Sequence, residues 1–168
     1  QVLPLPIDKL STVLLHFKDL QYYDAFYAQN LALTKTAIKQ SVSEDIFVIQ
    51  TIANINELDK SINLLSKRVR EWYSWYAPEV VEHLSDHEKL MELIGSKSRA
   101  ELLKELKEPE TMGADIPKVH VDEILLLAKQ VQELFRLRQQ HEEYLKNIMH
   151  KYCPNVLELA GATIGAKL

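Results

Sequence analysis

The chain has 168 residues, a formal net charge of −4 at pH 7 and 46% hydrophobic residues, so it has enough apolar side chain for a folded core and is not expected to be disordered throughout. No apolar run approaches the about 18 residues that a membrane-spanning helix needs, and the amino-terminal segment lacks the basic-then-apolar pattern of a secretion signal. The single cysteine, Cys153, excludes an internal disulfide.

Residues 1–40 carry apolar side chains at spacings of three and four. Pro4 and Pro6 predict an extended entry segment, and the spacing after them predicts two short helices that end near Lys39. All four glycines lie after residue 94, which makes the tight turns of β-hairpins hard to place in the first half. An aromatic cluster in this part is expected either to pack within the chain or to contact a partner: Tyr22, Tyr23, Phe26 and Tyr27.

The segment from Ser41 to Pro78 predicts the first of two long helices. Ser41 and Glu44 have the spacing of a capping box. Pro78 is expected to end the helix after about 36 residues, because proline disfavours helical geometry in the residue before it. Apolar residues step alternately by three and four, which is the heptad pattern of a coiled-coil seam: Ile55, Leu58, Ile62, Leu65, Val69, Trp72 and Tyr76.

Residues 77–116 are rich in charge, with ten acidic and five basic side chains. Two short helices are predicted at about 86–94 and 99–107, followed by a turn through Pro109 and Gly113. Gly95 has the position of a residue just past a helix end. The capping boxes predicted for these helices are Ser85 with Glu88 and Ser98 with Glu101.

A second long helix is predicted from near Pro117 to Pro154. Its seam continues the alternating steps of three and four: Ile124, Leu127, Val131, Leu134, Arg138, His141, Leu145, Ile148 and Tyr152. Arg138 and His141 either fix the register of the pair as polar seam residues or lie at its edge. The fold class predicted is all-α: a long antiparallel coiled-coil pair with a small helical tip and short flanking helices.

Both apolar stripes are wider than a two-helix seam requires, which predicts that a second chain buries the surplus. On the second helix, Leu125, Ala128 and Phe135 lie beside the seam residues. A homodimer is therefore expected.

Enzyme chemistry has little support in the sequence. The run from His83 to His87 is close to the H-x-x-E-H zinc pattern, but no third ligand follows, and a polar first helical turn is the preferred reading. Phosphate-binding loops, nucleophile elbows and cysteine pairs are absent, so we expect no catalytic, metal or cofactor site. The bases and aromatics from Arg68 to Tyr76 either stack nucleobases or pack on the seam.

Four segments resemble one known family. They are residues 41–50, 58–65, 70–79 and 153–168, and they are similar to the coiled coil and the opening of the Nop domain in Nop-family scaffold proteins of box C/D ribonucleoproteins, the archaeal member above all. The resemblance covers about residues 20–168. It departs at Tyr76-Ala77, where the family usually has a histidine before an aromatic residue.

The resemblance implies three regions: the end of an amino-terminal domain in 1–40, the coiled coil in 41–152 with its tip at about 77–116, and a truncated start of the Nop domain in 153–168. It also implies a homodimeric scaffold that holds fibrillarin, a methyltransferase whose S-adenosylmethionine belongs to the enzyme. Box C/D guide RNA and a kink-turn-binding protein would bind the missing part of the Nop domain. The expected location is the cytoplasm in an archaeon or the nucleolus in a eukaryote. The alternatives are a generic dimeric coiled-coil adaptor and the spliceosomal Nop-domain RNA-binding protein.

Overall fold

A computed structural model describes residues 6–16, 18–108 and 110–168, and all regular secondary structure in them is helical, which confirms the all-α class. The helices are α1 (Ile7–His16), α2 (Leu20–Gln40), α3 (Glu44–Ser74), α4 (Pro78–His83), α5 (His87–Ser96), α6 (Arg99–Leu106), α7 (Lys118–Tyr152) and α8 (Pro154–Gly165). The chain divides into two compact units, Gln1–Ser43 and Glu44–Leu168, which are described separately. None of the described helices combines the length and the hydrophobicity that crossing a bilayer requires.

The first unit contains α1 and α2, and neither helix has a fully buried residue. Two helices were predicted here, although α2 is long, at 21 residues. Asp19 caps the start of α2, where its carboxylate accepts a hydrogen bond from the Gln21 backbone N–H at 3.4 Å. The predicted extended segment at Pro4 lies outside the described residues.

The capping box predicted at Ser41 is wrong, because Ser41 closes α2 instead of opening α3. Its backbone N–H donates to the carbonyls of Ala37 and Ile38, and its hydroxyl donates to the Ile38 carbonyl at 2.8 Å. α3 begins at Glu44 and has 31 residues, fewer than the predicted number. It ends before Pro78 is reached, since Ala77 has a φ of −149° and so is no longer helical.

α3 and α7 run antiparallel, as predicted. The Tyr152 hydroxyl donates to the Glu44 carboxylate at 2.8 Å, so the end of α7 lies beside the start of α3. Farther along, Arg138 lies 2.7 Å from Asp59. The 35 residues of α7 lie between Pro117 and Pro154, the two positions that the sequence predicted as its limits.

The tip consists of α4, α5, α6 and their connecting segments, and it packs against the end of α3 and the start of α7. Tyr73, Leu90, Met91 and Ile94 are almost fully buried in its core. Each such side chain stabilises the fold by about 1.5–3 kcal/mol relative to an exposed one. The two predicted tip helices are present as α5 and α6, whereas α4 was not predicted.

The helix caps of the tip agree only in part with the prediction. α6 has the predicted capping box between Ser98 and Glu101. At α5 the cap is Asp86 and not Ser85, since the Asp86 carboxylate accepts hydrogen bonds from the backbone N–H groups of Glu88 and Lys89. An aspartate at this position reaches the free N–H groups of the first turn, so it replaces the expected serine.

Gly95 lies inside α5 and not just past its end, which contradicts the sequence prediction. A Cβ at this position would lie 3.3 Å from the side-chain nitrogen of Gln132 on α7. The Gln132 amide donates to the Met91 carbonyl at 2.8 Å. The glycine therefore serves the close approach of α5 to α7, which a local sequence pattern does not reveal.

At the opposite end of the long pair, α8 packs against α7. Ile52, Ile55, Leu145 and Met149 form a second buried cluster there, with Leu157 of α8 packed against it. α8 has a kink at Gly161, whose φ of +72° suits glycine best.

Candidate functional site

The predicted seam residues divide by burial into three groups. Eight are buried within the chain: Ile55, Leu58, Ile62, Val69, Ile124, Val131, Leu145 and Ile148. Four are half-buried: Leu65, Tyr76, Leu127 and Leu134. Trp72 and Tyr152 are 45% and 46% exposed. The eight buried side chains are already covered within one chain, so contacts with a second chain must come from other residues. For the remaining six apolar seam residues that role stays a prediction.

Trp72 was expected to pack in the seam, but within one chain its side chain is 45% exposed, so the seam of the α3–α7 pair does not bury it. The inward position after Val69 is taken by Tyr73, which is 1% exposed. A straight α-helix has 3.6 residues per turn, so a strict seven-residue pattern drifts around it, and here the drift turns Trp72 outward.

Arg138 and His141 form a polar layer between the two long helices. The Arg138 guanidinium donates to Asp59 on α3 and to Glu142 on its own helix, both at 2.7 Å. The hydrogen bond to Asp59 raises the pKa of Arg138, so it stays charged. His141 Nδ1 lies 2.6 Å from the Asn54 amide nitrogen. Both residues thus bond across the seam, which supports the register-fixing alternative over the edge alternative.

One side of the α3–α7 pair is covered and the other is not. Phe135 packs against the tip core, and Gln139 lies near Glu88 of α5 and also lines a cavity with Leu157 of α8. Leu137 is two residues from both Phe135 and Gln139. Two residues turn an α-helix by about 200°, so Leu137 lies on the opposite side of α7. Trp72 is likewise two residues from Arg70, which binds the carbonyls of Val81 and Leu84 beside α4. We call the uncovered side the open face: Trp72, Trp75, Leu134 and Leu137.

Two tryptophans lie at the tip end of the open face. Trp72 is 45% exposed and Trp75 is 74% exposed. Together with side chains of α7 and the residues before it, they line an apolar cavity of about 490 Å³, whose other walls are Ile116, His120, Glu123 and Ile124. Large exposed aromatic side chains around a concave surface are typical of binding sites.

The other aromatic and basic residues between Arg68 and Tyr76 are engaged within the chain. Tyr73 is buried, and burial raises its pKa to about 12. Its ring meets that of Tyr76 edge to face at 5.7 Å, and the Arg99 guanidinium lies 4.4 Å from the Tyr76 ring centre. Arg68 pairs with Glu71 at 2.7 Å. Except for the two tryptophans, this segment supports packing and not nucleobase stacking.

A buried carboxylate on α4 holds the segment before α7 in the tip. Glu79 is 8% exposed, and it accepts hydrogen bonds from the Thr111 hydroxyl at 2.8 Å and the Met112 N–H at 2.6 Å. Burial alone would raise the pKa of Glu79, but these hydrogen bonds outweigh it and hold the pKa below the ordinary value of 4.5. The Glu79 carboxylate therefore fixes the segment before α7 against α4.

Replacing Glu79 by glutamine is expected to lower the free energy of unfolding at pH 7 by about 1.5–3 kcal/mol, since the amide oxygen can accept only one of the two hydrogen bonds and the NH2 group would face the other donor. Because the folded-state pKa is lowered, this stabilisation is present above about pH 4.5 and is lost as the pH falls through the folded-state pKa. Urea unfolding at several pH values measures both effects. Glu82→Gln, on the exposed side of α4, is the matched control. Equal stability of the two variants at pH 7 would contradict the role given to Glu79.

The aromatic cluster of α2 is largely exposed. Tyr23, Phe26 and Tyr27 are 59%, 45% and 58% exposed, and the rings of Tyr23 and Tyr27 stack at 6.2 Å. Tyr22 is half-buried, and its ring lies 5.2 Å from that of His16. Three of the four side chains are thus available to a partner.

The two histidines of the zinc-like pattern have separate surroundings. His83 Nδ1 lies 2.9 Å from the Glu79 carbonyl oxygen. His87 begins α5; its burial, followed by the positive charges of Arg70 and Lys67, lowers its pKa. Across the described ranges, no group of three or more His, Cys, Asp or Glu side chains is arranged to hold a metal ion.

Comparison with known proteins finds one family. The model of the Nop family, described as "snoRNA binding domain, fibrillarin", matches residues 54–168. The chain is 31% identical to an uncharacterised NOP5 family protein of Methanocaldococcus jannaschii over 90% of its own length and 42% of that protein. It is 34% identical to Nucleolar protein 58 of Schizosaccharomyces pombe over 74% of its length and 28% of that protein. For Nucleolar protein 56 of Saccharomyces cerevisiae, the identity is 32% over 96% of this chain and 38% of that protein. The chain therefore spans between 28% and 42% of these relatives.

Proposed function

The chain belongs to the Nop family, and from this we propose that it is a non-catalytic scaffold of a box C/D ribonucleoprotein that guides ribose 2′-O-methylation of rRNA. The observation that supports this best is the family match over residues 54–168, which includes most of α3, the tip, α7 and α8. Methylation chemistry and S-adenosylmethionine would belong to fibrillarin. Guide RNA and a kink-turn-binding protein would bind the Nop domain that begins with α8. The assembly would act in the cytoplasm of an archaeon or the nucleolus of a eukaryote.

The long helix pair suits the role of a spacer. At 1.5 Å per residue, the 31 residues of α3 and the 35 of α7 extend for about 45–50 Å. The polar layer at Asp59 and Arg138 and the apolar clusters on either side of it hold the two helices in one register. A rigid spacer lowers the entropy cost of placing a bound enzyme at a fixed distance from the guide RNA.

Self-association is proposed to use the part of the open face away from the tip, which contains Leu134 and Leu137. These leucines are apolar and only partly covered, whereas the other side of the pair packs against α5 and α8. Apolar and aromatic side chains with few charges are typical of the buried centre of protein interfaces. A two-fold contact between two such faces would make a four-helix arrangement that removes this apolar surface from water.

Fibrillarin is proposed to contact the exposed aromatic residues of α2. The double variant Tyr23→Ala/Tyr27→Ala is expected to weaken binding of a fibrillarin-family methyltransferase at least about tenfold, because tyrosine is enriched among the side chains that dominate interface energies. Calorimetric titration of enzyme into the chain measures the change. Leu159→Ala on α8, where the leucine is 89% exposed and outside the open face, is the control and should bind normally.

The same titration, together with the solution mass by light scattering, separates the alternatives. If the unaltered chain dimerised but did not bind the methyltransferase, the generic coiled-coil adaptor would replace the proposed function. If it stayed monomeric and did not bind the methyltransferase, the spliceosomal protein would replace it. Unchanged binding by the double variant would place the enzyme contact outside α2.

A further inference from the structure

The tryptophan pocket contains a carboxylate that the scaffold function does not use. Trp72 and Trp75 are three residues apart and form one wall, and His120 and Glu123, also three apart, lie on the other helix. Glu123 makes no hydrogen bond or ion pair with another described residue. The pocket is thus an apolar recess of two indoles with one unpaired negative charge.

This combination of groups favours a cation. The face of an indole ring attracts positive charge, and tryptophan does so more strongly than the other aromatic side chains. A guanidinium group is planar, so it can stack on an indole while donating two parallel hydrogen bonds to a carboxylate. A phosphate would be repelled by Glu123, so a nucleic acid backbone fits this pocket poorly.

The arginines of a second copy are unsuitable occupants. The chain has five arginines, and each makes a hydrogen bond or ion pair within the chain. Arg68 and Arg136 pair with Glu71 and Glu133. The remaining three bind groups within the tip or across the seam: Arg70, Arg99 and Arg138.

We propose that the pocket formed by Trp72, Trp75, His120 and Glu123 binds an arginine side chain in an exposed segment of another protein. The volume of about 490 Å³ is sufficient for one arginine and part of its backbone. Glu123 supplies the charge and hydrogen-bond acceptors, and the indoles supply the stacking surface. The pocket lies at the tip end of the open face, about 15–20 Å along α7 from Leu134 and Leu137, so the site stands apart from the proposed self-contact.

The two tryptophans of the chain are both in the pocket, so tryptophan fluorescence reports on this site alone. The ligand is the peptide acetyl-Gly-Gly-Arg-Gly-Gly-amide, titrated into the full chain. A saturable change in fluorescence is expected. The same peptide with citrulline, which has the shape of arginine without its charge, is expected to bind at least about tenfold more weakly.

Glu123→Gln is expected to weaken binding of the arginine peptide at least about tenfold. Both tryptophans remain in this variant, so fluorescence still reports binding. Glu143→Gln removes the same charge from the same helix away from the pocket, and it should bind like the unaltered chain. The inference is overturned if the arginine peptide gives no saturable change, or if citrulline binds equally well. It is also overturned if Glu123→Gln converts a dimer to a monomer in light scattering, because the pocket would then belong to the self-contact.

Discussion

Replacing Gly113 by alanine is expected to lower the free energy of unfolding by about 3 kcal/mol or more and to detach the segment before α7 from the tip. A Cβ at this position would lie 2.0 Å from the carbonyl oxygen of Tyr76 and 2.5 Å from its carbonyl carbon. Both are backbone atoms that cannot rotate away. The position itself is fixed on one side by the Met112 contact with Glu79 and on the other by the hydrogen bond from Ala114 N–H to the Trp75 carbonyl at 2.8 Å.

Chemical denaturation measures this change, and hydrogen exchange locates it in the tip. Gly95→Ala is the matched control, because the new Cβ would meet only the flexible side chain of Gln132 at 3.3 Å. Alanine is favoured over glycine within a helix by about 1 kcal/mol, which offsets the crowding of Gln132, so Gly95→Ala should change the free energy of unfolding far less than Gly113→Ala. Equal effects of the two substitutions would contradict the close approach described at Gly113.

Replacing Leu137 by glutamate is expected to abolish self-association. Leu137 is 37% exposed on the open face, and a two-fold contact would bury it in both chains at once. Each dimer would then have to desolvate two unpaired carboxylates, which is far more costly than leaving them in water. Light scattering should show the mass fall from about twice 19.4 kDa to that value, with the helical circular dichroism unchanged.

Leu159→Glu controls for the added charge. Leu159 lies on α8 and is 89% exposed, so the same substitution leaves the open face intact and should leave the mass unchanged. If Leu137→Glu remained dimeric, the self-contact would lie elsewhere. If both variants became monomeric, the interface would extend over α8.

The features that the sequence predicted well depend on local chemistry repeated over many residues. Pro117 and Pro154 limit α7 because proline restricts its neighbours wherever it occurs. The apolar steps of three and four revealed the long pair, and Ser98 with Glu101 revealed a cap whose two hydrogen bonds lie within four residues. The resemblance through residues 70–79 and 153–168 pointed to the Nop family, which the family match confirms.

The features that the sequence missed depend on contacts between distant segments. Gly95 looked like a helix end, but it serves the approach of Gln132, which is 37 residues away in the numbering. Gly113 was expected in a turn, yet its close contact with Tyr76 requires the folded tip. Trp72 followed the heptad pattern, but drift around a straight helix turned it outward.

The candidate sites show the same division. The exposure of an aromatic side chain decides whether it can bind a partner or belongs to the core. For the tryptophans, exposure depends on which side of α3 and α7 the tip covers, and the sequence does not show this. The sequence named Tyr23 and Tyr27 as either packing or contact residues, and only their exposed fractions favour contact. It named Trp72 as a packing residue, and it did not associate either tryptophan with Glu123, which follows 48 residues after Trp75.

The most direct test of the scaffold account is the solution mass of the chain by light scattering, alone and mixed with a fibrillarin-family methyltransferase. The account predicts a particle of about twice 19.4 kDa for the chain alone. It also predicts a larger particle that contains equal numbers of chain and enzyme in the mixture. A chain that stays at 19.4 kDa in both samples would contradict the account.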